Sequence, residues 1–135
     1  MDAIKQYMQP KWWLIAVGII FTIVALTTYI GGEGNAEKGW GDDFTPNDVF
    51  YEKVWAANVF WVAIITLTSG FLIEGRALSI LAMAISGAYI LSFILIYLAS
   101  DGLDYGKMAV LDIVPPMVAA VGLFLSGYLH LEEGE

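Results

Sequence analysis

Residues 54–99 form one apolar hairpin, and whatever the chain folds into must accommodate it. Its halves, VWAANVFWVAIITLTSGFLI and ALSILAMAISGAYILSFILIYLA, are separated by Glu74, Gly75 and Arg76 alone. At about 1.5 Å per residue, each half as a helix reaches across a hydrocarbon core of roughly 30 Å. The residues between them leave room for a tight turn at one membrane face and nothing larger.

Extending the same reading along the chain gives helical spans at Trp12–Ile30, Val54–Ile73, Ala77–Ala99 and Met108–Leu131. The expected fold is an all-α integral membrane protein with four transmembrane helices in a single domain over residues 1–135. A β-barrel would need alternating segments of about ten residues, whereas these runs are continuously apolar. A chain of 135 residues that is 59% hydrophobic and 15% charged lies far from the average soluble domain. The formal charge of −8, with six Lys and Arg in all, argues against nucleic acid, whose phosphates need cations. Cysteine is absent, which removes disulfide exchange, thiolate nucleophiles and sulfur-ligated metals together.

At the N-terminus, Ile4, Tyr7 and Met8 fall at helical spacing, as in a short interfacial helix ended by Pro10. Lys11, Trp12 and Trp13 then anchor the first span in the headgroup layer. The residues after that span, TTYIGGEG, contain no clear small-x-small cleavage site, so it is expected to stay as a helix. The long connection, Gly31–Lys53, carries six carboxylates and two lysines. Glycines at 31, 32, 34, 39 and 41 mark its first half as irregular. Its second half has a helix start: Thr45 as cap, Pro46 in the first turn and Asp48 where negative charge meets the helix dipole. The second helix should therefore begin near Pro46, about two turns above the bilayer, and the connection should be an ordered acidic cap. Pro115 and Pro116 leave two readings for the fourth span, a start at Pro115 or a kinked helix from about Met108, and the kinked form is favoured.

Lys and Arg divide evenly between the two sides of such a bundle, Lys5, Lys11 and Arg76 against Lys38, Lys53 and Lys107. The acidic connections are easier to place outside, which gives N-in and C-in termini in a cell membrane.

Polar residues within the spans are few. Asn58, Thr66 and Ser69 lie near one stripe of the second span by ideal helical spacing, and either join helices or line a path for substrate or ion. Three small-xxx-small pairs, Thr66 with Gly70, Ala82 with Ser86, and Gly122 with Ser126, permit close helix approach. Asp112 is the one acid inside a span, with an interfacial cap or ion pair weighed against proton or ligand handling. Glu74 and Arg76 flank a turn glycine as a solvated hinge. His130, the single histidine, sits where it can complement a helix C-terminus at the interface. One histidine cannot supply bis-histidine haem ligation or a multi-histidine metal centre. Asp42, Asp43 and Asp48 do not follow the calcium-loop pattern, and glycine-rich phosphate loops are missing. No catalytic, metal or cofactor-binding residue is expected in this chain alone, while bound lipid is compatible with it.

The acidic connection is the expected docking surface for a partner outside the lipid, with Trp40, Phe44, Phe50 and Tyr51 set among Asp42, Asp43 and the other charges. An aromatic belt lying on headgroups is the competing account. In size and span count the chain resembles the small multidrug transporters, dimers of four-helix subunits with a membrane-embedded Glu in the first helix. WWLIAVGIIFTIVALTTYI holds no carboxylate, so that assignment fails. The layout is also similar to the small four-helix subunits of terminal oxidases, membrane monooxygenases and other energy-transducing complexes, without a diagnostic motif. The expected function is a noncatalytic accessory subunit of such a complex, bound to other membrane subunits and lipids. The alternatives are a small homo-oligomeric transporter or channel and, more weakly, a lipid- or quinone-binding protein.

Overall fold

The computed structural model describes residues 2–100 and 110–132, and every element among them is a helix. In chain order these are α1 (Asp2–Tyr7), α2 (Pro10–Ile30), α3 (Gly32–Trp40), α4 (Pro46–Leu72), α5 (Gly75–Ala99) and α6 (Val110–Leu129). Three helical stretches are long and apolar enough to cross a membrane: Ile4–Ile30, Pro46–Leu72 and Gly75–Ala99.

The distribution of interior and exterior side chains is compatible with a lipid environment. Ala25, Ala56, Ala63, Thr66, Ser69, Ser79, Ala82, Ser86, Ala120 and Ser126 are buried, while Ile, Leu, Val, Phe and Trp side chains cover the outside of every long helix. In water the large side chains would be driven inward. In lipid there is no such drive, and small residues at the contacts let backbones approach closely.

α2 packs most extensively on α4. Leu14, Gly18, Phe21 and Ala25 are buried on α2, and Ala56, Ala63, Thr66 and Gly70 are buried on α4. The pair is antiparallel: a Cβ on Gly18 would lie 2.6 Å from Leu67 Cγ, and one on Gly70 would lie 2.9 Å from Ile15 Cγ1. Buried positions on α4 recur every seven residues at Ala56, Ala63 and Gly70, the repeat of a left-handed supercoiled seam. α5 and α6 form the second antiparallel pair, with Ser79 against His130 and Ser86 against Ala120. Trp13 of α2 seats its ring on Gly122 of α6. Leu14, Val17, Phe21, Ala63, Leu78, Ala82 and Leu123 meet in one core cluster.

Two expectations need correction here. The glycine-rich stretch from Gly32 to Trp40 is helical, not irregular. Gly31 interrupts α2 for a single residue, its N–H bonded to Thr27 O and its carbonyl accepting from Asn35 N. α3 then continues the α2 seam through buried Gly32 and Ala36, laid against Val49 and the Lys53 stem of α4. That tertiary contact outweighs the propensity cost of three glycines, about 1 kcal/mol each. The second correction concerns the hairpin of residues 54–99. The tight turn is present, with Ile73 and Glu74 extended and Gly75 at φ +64°, but α4 and α5 touch sparsely and take their main partners elsewhere. α6 already runs before Pro115 and Pro116, which lie inside it.

Candidate functional site

α4 carries two of the polar candidates on its buried face. Thr66 Oγ1 donates to Val62 O at 2.8 Å and Ser69 Oγ donates to Ile65 O at 2.8 Å, both on their own helix. Neither hydroxyl has to reach across for a partner. Asn58 does not share their face. It is exposed, its Nδ2 donating to Val54 O at 2.8 Å and its Oδ1 accepting from Trp61 Nε1 at 3.4 Å. The buried positions Ala56, Ala63 and Gly70 repeat every seven residues, and Asn58 on the same helix is exposed.

All six members of the three small-xxx-small pairs are buried. On α5 and α6 the small residues also supply hydrogen bonds between helices. Ser86 Oγ donates to Ala120 O at 2.6 Å and Ser79 Oγ to His130 O at 3.2 Å. Ser126 Oγ stays on its own helix, donating to Leu123 O at 2.7 Å.

His130, just past the end of α6, is 7% exposed and so lies inside the protein, not at an open interface. Its Nδ1 is 3.0 Å from Ser126 O, and a carbonyl can only accept, so Nδ1 carries the proton of that bond. Sequence position placed this residue near a helix C-terminus; its burial is a tertiary property that spacing on α6 cannot reveal. Glu74 and Arg76 are exposed at the α4–α5 link on the same end of the bundle. Asp112 lies in the first turn of α6, and its side chain is outside the described residues.

Beyond the opposite end of the apolar core, α3 and the first two turns of α4 form a charged extension. Thr45 and Asp48 close the start of α4: the Thr45 N–H donates to Asp48 Oδ2 at 2.7 Å and the Thr45 hydroxyl to the same oxygen at 2.6 Å. Asp48 lies well before the apolar run that begins at Val54, and these bonds, the hydroxyl's first, hold its carboxyl below the ordinary carboxylate value of 3.8. Lys53 lays its ammonium 5.7 Å from the Tyr29 ring centroid. Around this frame Trp40 is 44% exposed, Phe50 61% and Tyr51 62%, while Phe44 is half-buried. Asp42 and Asp43 are exposed in the turn between α3 and α4.

Among the described residues no group of three or more His, Cys, Asp and Glu is placed to hold a metal ion. A cavity bordered by Val17, Phe21, Ile85, Tyr89, Ala120 and Leu123 measures about 10 Å³, against the several hundred that a small-molecule site requires. No protein family, curated protein or solved structure matches the chain.

Proposed function

We propose that the chain is a noncatalytic accessory subunit of a multi-subunit membrane complex of the energy-transducing or redox kind, such as an oxidase or membrane monooxygenase. The observation that carries this reading is how the intramembrane hydroxyls are used. Thr66, Ser69, Ser79, Ser86 and Ser126 all bond to backbone carbonyls of this same chain. A transport path needs polar groups turned toward a lumen, and these are committed to holding the fold.

In this reading α6 is the fourth span. Its 20 residues extend about 30 Å, which matches the hydrocarbon core. α4, with 27 residues, extends about 40 Å and therefore projects by roughly 10 Å. Exposed Trp12 and Tyr29 on α2 are about 26 Å apart along the axis and suit the two aromatic belts of a bilayer. With Tyr29 at headgroup level, Trp40 and the α3–α4 turn stand clear of the lipid as an ordered acidic cap. The termini lie inside and the cap outside a plasma or inner membrane. Trp40, Phe50 and Tyr51 are the anchors of a partner-docking face, and the carboxylates around them set its register.

Gentle detergent extraction followed by identification of co-purifying chains tests the assignment. A distinct heteromeric partner is the expected result, and a symmetric ring of this chain alone would replace it with the transporter reading. Trp40→Ala combined with Asp42→Asn and Asp43→Asn should weaken retention in the complex while membrane insertion stays unchanged. Undiminished co-purification of that variant across a salt series would reduce the cap to a solvated turn.

A further inference from the structure

α4 buries Ala56, Ala63, Thr66 and Gly70 and leaves another face uncovered. Val54, Asn58, Trp61, Ile65 and Thr68 are all exposed, and their alternating steps of four and three place them on one stripe of the helix. Asn58 stands 12 residues after the start of α4 and 14 before its end. A helix of 27 residues extends about 40 Å, so a hydrocarbon core of about 30 Å that it crosses includes Asn58 wherever along the helix that core sits.

In lipid this amide is incompletely bonded. Its Nδ2 gives one hydrogen to Val54 O, and its Oδ1 accepts the Trp61 indole N–H over a long 3.4 Å. A primary amide offers two donors and two acceptor positions, so among the described residues one of each is left on the exposed side. Hydrocarbon tails can take neither. Trp61 points the same way: tryptophan collects at the two interfaces of a bilayer, yet this ring is 55% exposed near the middle of α4, one helical turn from Asn58. Both residues suit a helix contact better than a lipid one.

Whatever completes the amide must bring an acceptor and a donor to the same depth. A second copy does so by construction. Inserted in the same orientation, it presents the same amide at the same level, and two primary amides close reciprocal N–H···O bonds across a two-fold axis normal to the membrane. We propose that the chain pairs with a second copy of itself through the α4 stripe, the two Asn58 amides bonded to each other and Val54, Trp61 and Ile65 packed around them. Such a pair closes on one face of α4 and encloses no lumen. The inference requires α4 to span a membrane and does not depend on the accessory-subunit reading, because distinct chains can dock at the acidic cap of a paired protein.

The chain has no cysteine, so single thiols can be placed in the full-length protein in its native membrane. Val54→Cys and Ile65→Cys, which leave Asn58 in place, should each give a disulfide-linked homodimer on copper-phenanthroline oxidation. Exposed Ile23→Cys on α2 and Leu95→Cys on α5 should stay monomeric. In liposomes, energy transfer between labelled copies reads self-association: Asn58→Leu should weaken it roughly tenfold, and Asn58→Gln, which restores a primary amide, should retain most of it. Helix content measured in the same liposomes separates a weakened pair from a chain that fails to insert, and the two thiol variants decide the matter where Asn58→Leu does not fold. No homodimer from Val54→Cys and Ile65→Cys, links from them to a different chain alone, equal linking from all four thiols, or an inserted Asn58→Leu chain that associates within about twofold of the original would overturn the proposal.

Discussion

The α2–α4 pair and the α5–α6 pair are both antiparallel, both apolar on the outside and both lined by small residues, yet they are held by different forces. In the first, glycine receives a large side chain: Gly18 lies under Leu67, and Gly70 lies under Leu14 and Ile15. Its hydroxyls are turned back onto their own helix. In the second, hydroxyls cross the seam from Ser86 to Ala120 and from Ser79 to His130, and Gly127 approaches the Ser79 carbonyl itself. Interdigitation distributes many weak contacts along a seam, so the first pair is closed from end to end. A hydrogen bond is local, and the second pair is closed where its serines are.

That difference is broken most directly at Gly127. A Cβ there would collide with the Ser79 carbonyl oxygen and approach Met83 Cγ at 2.9 Å, and a backbone atom cannot rotate away. Gly127→Ala should destabilise the second pair by about 1–3 kcal/mol, the usual cost of overpacking. Gly18→Ala, which meets chiefly the Leu67 side chain, should cost less because Leu67 has other rotamers. Reversible unfolding in mixed micelles compares the two. Equal losses would mean that backbone proximity does not distinguish the pairs.

The serines test the same contrast at smaller scale. Ser86→Ala removes a 2.6 Å bond between helices and should cost about 1 kcal/mol. Ser69→Ala removes a bond of similar length within one helix and should be near neutral, because the freed carbonyl keeps its backbone donor. A loss from Ser69→Ala as large as that from Ser86→Ala would show that Ser69 makes a contact across the seam.

Much of this architecture is legible in the sequence, and the parts that are not share a cause. Thr45, Pro46 and Asp48 announce the start of α4 because capping is local chemistry, and the Glu74–Arg76 break announces the end of one helix and the beginning of the next. Partner choice is another matter. A helix apolar on every side has no amphipathic stripe, so nothing in α4 says whether α2 or α5 covers it. The small pairs survive this difficulty, since Gly70, Ser86 and Gly122 mark close approach whichever helix approaches. Asn58 is exposed where Thr66 and Ser69 are buried, a difference that spacing along one helix does not carry. α3 was missed because its glycines read as loop, although Gly32 and Ala36 extend the buried line of Gly18 and Ala25. His130 was read from its helix alone, while its burial is set by the tertiary packing around that helix end.

The smallest expected effect lies where the first pair extends beyond the apolar core, in a segment to which no described part of the second pair corresponds. Asp48 closes the first turn of α4 by accepting both Thr45 donors. Because these bonds favour the carboxylate, its folded value lies below the ordinary 3.8. The linkage sign follows from that direction: the stabilisation is complete above the ordinary value and is lost as pH falls through the lower folded one. Acidification between neutrality and about pH 5 should therefore leave the turn intact, while stronger acid should open it. Asp48→Ala should produce the opened state at neutral pH, with several-fold faster exchange of the amides at positions 48 and 49, whose N–H groups bond to Thr45 O. Exchange in the second pair should not respond. If Asp48→Ala also accelerates exchange around Ser86 and Ala120, the two pairs are coupled more tightly than their different packing implies.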